Sequence, residues 1–439
     1  MTDSPGSEKT AEREVAGLCS DLIRFDTTNE GEGVARPERP AAEHVAALLA
    51  DVGVTAEVVE SARGRASTLA RIPGTDPSAP AFLIHGHLDV VPADPSEWSV
   101  PPFSGEIRDG CVWGRGAVDM KGTLAMTLAV VRQRMREDRR TRGDLVLAFL
   151  ADEECTGDYG SRHVVAEHRE LFTGCAEAIS ESGGFSVTDE GRRIYPIATG
   201  ERGTTWMRLT ARGKAGHGSK PAPDNAVAEL AHAISRLASH RWPVRLTPGV
   251  LALLDGLAKA LGTTIDHDRL DEEARRLGAV GRLFEGTIRN SANPTRLDAG
   301  YKVNVVPGTA TAQVDGRYLP GTGEEFLATV DRLLGPKVTR EFVNFEEAPS
   351  ADPAGPTFAA LAESLRSEDP AACPVPYVMT GGTDAKSFHR IGIRSFGFAP
   401  LLLGPELDYF GMFHGVDERV PVEGLRFGTR VLDRFLDTR

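Results

Sequence analysis

The sequence predicts an α/β fold: an open, mostly parallel sheet covered by helices, carrying an inserted α+β domain. Three observations predict it. Short apolar runs, at 81–87 and at 144–150, suit strands buried on both faces. These runs alternate with segments of helical periodicity, the order expected of an open α/β sheet. Near Gly200 the texture changes to apolar–polar alternation, the pattern of a sheet with one covered face.

The first element is a helix, because Val15, Leu18, Leu22 and Ile23 recur at helical spacing. A second helix is predicted around 41–52. The run 81–87 is a buried strand, 122–135 a helix and 144–150 a second buried strand, while 177–181 ends a third. Residues 204–212 then alternate as a half-buried strand. A helix follows over 224–237, a second alternating strand over 309–317, a helix from 324 and a strand near 337–342. This βαββαβ-like order predicts a small lid domain. Residues 243–290, between its halves, are mostly helical in pattern and read as an insertion. Buried-strand texture returns at 393–398. The expected division is a catalytic domain over 1–200 and 349–439, interrupted by a lid over 201–348.

The chain of 439 residues suits such a division. Hydrophobic residues make up 41% and charged residues 26%, which excludes disordered and fibrous classes. Fifty basic against 63 acidic residues leave a net charge of −13, which argues against nucleic acid and anionic membrane as partners. No apolar run reaches the roughly 18 residues of a membrane span. The N-terminus lacks the basic start and apolar core of a secretory leader. Cys19, Cys111, Cys155, Cys175 and Cys373 are odd in number and contain no C-x-x-C, so reduced thiols in a cytoplasmic protein are expected.

Five fragments carry chemistry. His85-Gly-His-Leu-Asp89 closes a strand, and His87 and Asp89, two apart on extended chain, face the same way. A metal-binding imidazole commonly gives its other N–H to a carboxylate, which His-x-Asp supplies; a surface loop has the same letters. Gly114-Arg-Gly-Ala-Val-Asp-Met-Lys-Gly122 lacks the spacing of a phosphate-binding loop, and Asp119 at the helix start suits a cation. Ala151-Asp-Glu-Glu154 follows a buried strand, where α/β sheets place their sites. Adjacent Glu153 and Glu154 allow one carboxylate to bind metal and the other to move protons. Glu181 stands at another strand end, and His414 lies in Phe413-His-Gly-Val-Asp-Glu418. Two imidazoles with carboxylates and no thiolate suit two divalent ions with a bridging carboxylate.

From Leu22-Ile-Arg-Phe-Asp-Thr-Thr-Asn29 to His414-Gly-Val-Asp-Glu418, the chain resembles the zinc metallopeptidase family of aminoacylase-1, carboxypeptidase S, glutamate carboxypeptidase, acetylornithine deacetylase and succinyl-diaminopimelate desuccinylase. The resemblance implies two zinc ions. His87 and Glu181 would bind one and His414 and Glu154 the other, with Asp119 bridging them. It further implies that Asp89 orients His87, that Glu153 is the general base and that a cis peptide bond follows Asp119. Cobalt or manganese would fit nearly the same ligands. Ser180 departs from the family, which often has an acid there; the ligand position itself is kept.

By the same resemblance, His217 in Gly213-Lys-Ala-Gly-His-Gly-Ser-Lys-Pro221 would reach a neighbouring subunit's site and stabilise the oxyanion, which implies a homodimer through the lid. Asn304, Arg317, Gly382 and Thr383 match family positions that line the substrate pocket. For Arg317 a salt bridge within the lid is the competing reading. His85 is expected to be structural and the four tryptophans to be packing.

The expected activity is hydrolysis of an amide bond in a small molecule or short peptide bearing a free carboxylate: an N-acyl-amino acid, a dipeptide or a peptide C-terminus. The long insertion and Ile288-Arg-Asn-Ser-Ala-Asn-Pro-Thr295 lean towards carboxypeptidase S and its N-acyl-amino acid relatives. Two alternatives stand beside this: a non-catalytic metal-binding scaffold, and an N-acyl-amino acid synthase running the reverse reaction.

Overall fold

In the strand Leu145–Leu150, Leu145, Leu147 and Phe149 point to one face of a large sheet, and Val146, Ala148 and Leu150 to the other. Each set joins a different apolar cluster. The neighbouring strand Ala81–His87 splits in the same way, Phe82 and Ile84 against Leu83. Burial on both faces explains why these runs do not alternate in sequence. Each large side chain so buried contributes about 1.5–3 kcal/mol.

The computed structural model describes residues 10–31, 33–189 and 191–439, the Ala279 side chain excepted. The expectation that the chain has no leader falls partly on residues 1–9, outside that range. Among the described residues nine strands form the large sheet. Its centre is parallel: Leu145–Leu150, Ala81–His87, Cys175–Ser180 and Arg394–Gly397. Antiparallel strands flank it, with Arg65–Ile72 and Ala56–Ala62 on one side and Arg192–Glu201 and Val187–Asp189 on the other. Ala372–Met379 runs parallel to Arg192–Glu201. The helices Thr10–Ile23, Lys121–Arg136 and Val422–Leu436 pack over one face. Val164 of Ser161–Glu167 and Phe388 of Ala385–His389 belong to the core on the other.

The smaller sheet is antiparallel, in the order Ser291–Ala299, Thr309–Tyr318, Gly203–Arg212, Val338–Glu346. Met207, Leu209 and Ala211 face the helices Ala226–Ser239 and Gly323–Leu334, where Leu230, Ala233, Phe326 and Val330 receive them. The first of these helices starts at Asn225, whose side chain accepts from the Val227 and Ala228 amides. Helical segments at Pro248–Leu261, Leu270–Arg276 and Gly278–Glu285 make up the expected insertion. Their apolar face lies on Ala372–Met379 of the large sheet, with Leu253, Leu254, Leu257 and Phe284 clustered with Val375 and Tyr377. The insertion therefore interrupts the lid in the chain but covers the large sheet in space.

Candidate metal centre

The parallel strands deliver the candidate residues to one edge. His87 is the last residue of its strand, Glu153 and Glu154 follow Leu145–Leu150, and Glu181 follows Cys175–Ser180. Asp119 stands just before the helix Lys121–Arg136, and the Asp119–Met120 peptide is cis. His414 comes from the opposite end of the chain, after the short helix Tyr409–Met412.

Asp119 spans the cluster. Its Oδ1 lies 3.1 Å from His87 Nε2, and its Oδ2 lies 3.3 Å from His414 Nε2. Glu181 Oε1 is 3.6 Å from His87 Nε2, and Glu154 Oε2 is 3.1 Å from His414 Nε2. Each imidazole thus faces its own glutamate and shares one aspartate. Ligand atoms of His87, Asp119 and Glu154 lie within 4.8 Å of one another, as do those of His87, Glu153 and Glu181.

The electrostatics call for cations. Burial, then the charge of Asp119, pushes Glu181 up to about 8, and the same causes raise Glu154. Burial and the Glu181 charge hold Glu153 well above the usual carboxylate range. Hydrogen bonds that its imidazole donates to Asp119 and Glu154 push His414 up to about 10. Glu154 Oε1 is buried without a hydrogen-bond partner. An orphaned carboxylate oxygen beside crowded acids and two imidazoles fits a pair of divalent ions.

Behind the cluster, Asp89 is fully buried and saturated with donors. The amides of Glu153 and Glu154 donate to its two oxygens, each at 3.1 Å, and Asn29 Nδ2 donates to Oδ2 at 2.9 Å. His87 Nδ1 faces the Asp89 main-chain oxygen at 2.9 Å and its carboxylate at 3.6 Å. The same Asn29 nitrogen donates to Asp152 at 3.0 Å, and Arg65 joins Asp152 to the buried Glu38. Asn29, Asp152, Arg65 and Glu38 were missed in the sequence; Asn29 lies within the motif that opens the family resemblance, but nothing in the spacing gives it a partner.

A cavity of about 560 Å³ opens onto the cluster. Arg317, Gly382 and Thr383 line it; His217 and Asn304 do not. Both are exposed: His217 lies on the short ladder Gly216–His217 with Val305–Val306, and Asn304 immediately precedes Val305. The Arg317 guanidinium is held by Asp315 at 2.7 and 3.2 Å, and it also donates to Thr204 Oγ1 at 2.9 Å. Lys386, also missed, donates to the same hydroxyl at 2.6 Å, while Glu346 stands 3.7 Å from its ammonium. A Cβ on Gly382 would come within 2.0 Å of Lys386 Nζ, so glycine keeps that wall open. Phe185, Leu283, Val378, Phe410 and Phe413 give the cavity an apolar side. Trp206, read from sequence as packing, lines it too. His85 is buried beneath the Phe388 ring, and burial pulls its pKa down to about 3.

The profile of peptidase family M20/M25/M40 matches residues 83–438. Aminoacylase-1 of Pongo abelii is 29% identical over 397 residues, covering 87% of this chain and 86% of that protein. The N-fatty-acyl-amino acid synthase/hydrolase PM20D1 of Homo sapiens is 30% identical over 374 residues, covering 81% and 74%. Among solved structures, an M20 family metallo-carboxypeptidase from Sulfolobus solfataricus aligns with a TM-score of 0.70 at 19% identity, covering 97% of this chain and 99% of that one. The di-peptidase Dug1p from Saccharomyces cerevisiae aligns at 0.69 and 16%, covering 98% of each.

Proposed function

The chain belongs to peptidase family M20/M25/M40 and is a hydrolase of metallopeptidase type, and from that premise we propose that it cleaves the amide bond of a small carboxylate-bearing substrate with two zinc ions. The substrate class is N-acyl-amino acids, dipeptides or short peptide C-termini. One observation carries the reading: the two oxygens of Asp119 face two different histidines, each with its own glutamate.

His87 and Glu181 would hold one ion, His414 and Glu154 the other, and Asp119 both. When bound, the ions acidify water and polarise the scissile carbonyl. Glu153 takes the proton of the attacking water and passes it to the leaving nitrogen. Two features suit Glu153 to this: its raised affinity for a proton, and the Asp89 carboxylate that fixes its backbone. Asp89 orients His87. Arg317, Gly382 and Thr383 line the substrate's path.

His217 and Asn304 would complete the site of a second copy, because they stand outside their own chain's cavity. A homodimer through the lid follows, with the catalytic domain over 1–200 and 349–439 and the lid over 201–348. Among the described residues no cysteine is in a disulfide, in keeping with the cytoplasm. Among the described residues no helix is long and apolar enough to cross a membrane. A second reading, condensation of a fatty acid with an amino acid, is favoured by the cavity's apolar side and by the resemblance to a synthase/hydrolase.

The test is turnover of a panel of N-acyl-amino acids and dipeptides by zinc-loaded protein, with and without a chelator. Rates that the chelator leaves unchanged, or faster turnover of succinyl-diaminopimelate than of the whole panel, would remove this reading.

A further inference from the structure

The segment His414-Gly-Val-Asp-Glu418 ends in an acid that the proposed chemistry does not use. Glu418 is fully buried. Its Oε1 accepts from the backbone amides of Val118 at 2.6 Å and Asp119 at 2.9 Å. Its Oε2 accepts from the Gly116 amide at 3.0 Å and from Arg115 Nη1 at 2.8 Å. The main-chain oxygen of Glu418 accepts from the Gly114 amide at 2.9 Å. Immediately beyond it, Arg419–Pro421 pairs with Cys111–Trp113. The turn that carries Asp119 is therefore wrapped around one side chain from the far end of the chain. Gly116, at φ 90°, lets that turn curl: a Cβ there would meet Val90 at 2.9 Å.

We infer that Glu418 is a positioning residue that sets Asp119 and His414 against each other before any metal arrives. This rests on the two-ion reading proposed above. A turn rich in N–H groups gathers only around a full acceptor, and a carboxylate offers acceptors on both oxygens. Here both oxygens are occupied, each by two donors. The charge is balanced by Arg115, which is itself buried, packs over the Trp98 ring at 5.1 Å and donates to the Pro92 oxygen. Glu418 lies four residues after His414, so the anchor on the Asp119 turn also anchors the histidine. If Glu418 were only half of a buried ion pair, an uncharged isostere that fills the same space would leave the metal ligands in place. The hydrogen-bond pattern says otherwise. The NH₂ of a glutamine, whichever way the amide turns, would point at N–H donors and push the turn away.

The experiment is zinc titration against a competing chromophoric chelator. It uses the full-length protein, its Glu418→Gln and His414→Ala variants, and the surface control Glu423→Gln, and records the melting of each metal-free form. Glu418→Gln is expected to weaken both zinc-binding phases together, by about 10- to 100-fold, while its metal-free form, less stable than the parent's, still unfolds in one cooperative transition. His414→Ala weakens one phase, and Glu423→Gln neither. Zinc affinities of Glu418→Gln within twofold of the parent would overturn the inference. A parent protein that binds no zinc would overturn the two-ion reading and this inference with it. Where Glu418→Gln does not fold, amide exchange in the metal-free parent decides. Slow exchange at Val118 and Asp119 supports a turn organised in advance, and exchange as fast as in the exposed segment 300–304 overturns it.

Discussion

Asn29 donates to the Asp89 carboxylate at 2.9 Å, and through the same nitrogen it ties that carboxylate to Asp152. Asp89 also holds the amides of Glu153 and Glu154. One neutral amide thus separates two buried acids behind the cluster. Replacing Asn29 by alanine is expected to lower zinc affinity about tenfold, because Asp89 and Asp152 lose the one donor that stands between them. Asn29→Asp should be worse, since it adds a third acid. Competition with a chelator measures both.

Glu153→Gln tests the proton transfer alone. It keeps the shape of the side chain and every proposed ligand. The expected result is a fall in kcat of about 10²- to 10⁴-fold, with zinc content by elemental analysis equal to that of the parent.

Removing the ions tests the cluster's dependence on them. Asp119, Glu153, Glu154 and Glu181 lie close together, and once the metal leaves only the imidazoles of His87 and His414 face their charge. At a thousandfold excess of ion over Kd, binding stabilises a fold by about 4 kcal/mol. Dialysis against a chelator should therefore lower Tm measurably, and zinc should restore it. A Tm indifferent to zinc would count against the site.

A pH prediction concerns a site remote from the cavity. Arg193 and Tyr195 hydrogen-bond the buried Asp369 carboxylate, Tyr195 at 2.8 Å and Arg193 Nε at 2.6 Å. Arg193 chiefly, and Tyr195, hold Asp369 below its ordinary pKa against the opposing effect of burial. A depressed carboxylate stabilises the fold above its unfolded pKa of about 3.9. That contribution is lost as pH falls from there through the lower folded value. Asp369→Asn should cost about 1–3 kcal/mol at neutral pH. Its deficit against the parent should shrink below about pH 3.9. Denaturant melts at several pH values measure it.

The partner-supplied histidine is tested by mixing. His217→Ala and Glu153→Gln should each be nearly inactive alone. If a second copy lends His217 to the cavity, subunit exchange between them regenerates one intact site per mixed dimer, and activity rises. A mixture no more active than its parts, or a mass by ultracentrifugation equal to one chain, contradicts the arrangement.

Of the five proposed ligands, His87, Glu154 and Glu181 were legible because strand ends in an α/β sheet announce themselves, whereas Asp119 stands at a helix start and His414 in a loop, where only the family resemblance singled it out. An apolar run followed at once by an acid or histidine places that side chain on the sheet's carboxyl edge. The parallel strands and the alternating lid strands were legible for the same reason, since burial on one or two faces leaves a period. The hairpin Ala56–Ala62 with Arg65–Ile72 was not, because its mixed sequence follows neither pattern cleanly. Asn29, Lys386 and Glu418 were illegible as functional residues for a different reason. Their roles lie in the partners they meet across long separations, Asn29 with Asp89 and Glu418 with Asp119. Arg317 shows the converse. Its side chain was readable as a pocket residue or as a lid salt bridge, and the structure holds its fork against Asp315 while leaving it on the cavity wall.

The split origin of the centre bears on the chain's synthesis. A polypeptide that has left the ribosome only as far as Cys175–Ser180 and the residue after it already carries His87, Asp119, Glu153, Glu154 and Glu181. It has neither His414 nor the carboxylate that gathers the Asp119 turn. Such a fragment presents the acids with His87 and with the Asp89 and Asn29 contacts behind them, but without the last brace on the Asp119 turn. On the proposed assignment it has every ligand of the first ion and lacks the histidine of the second, so the second position is completed only in the last stretch of translation.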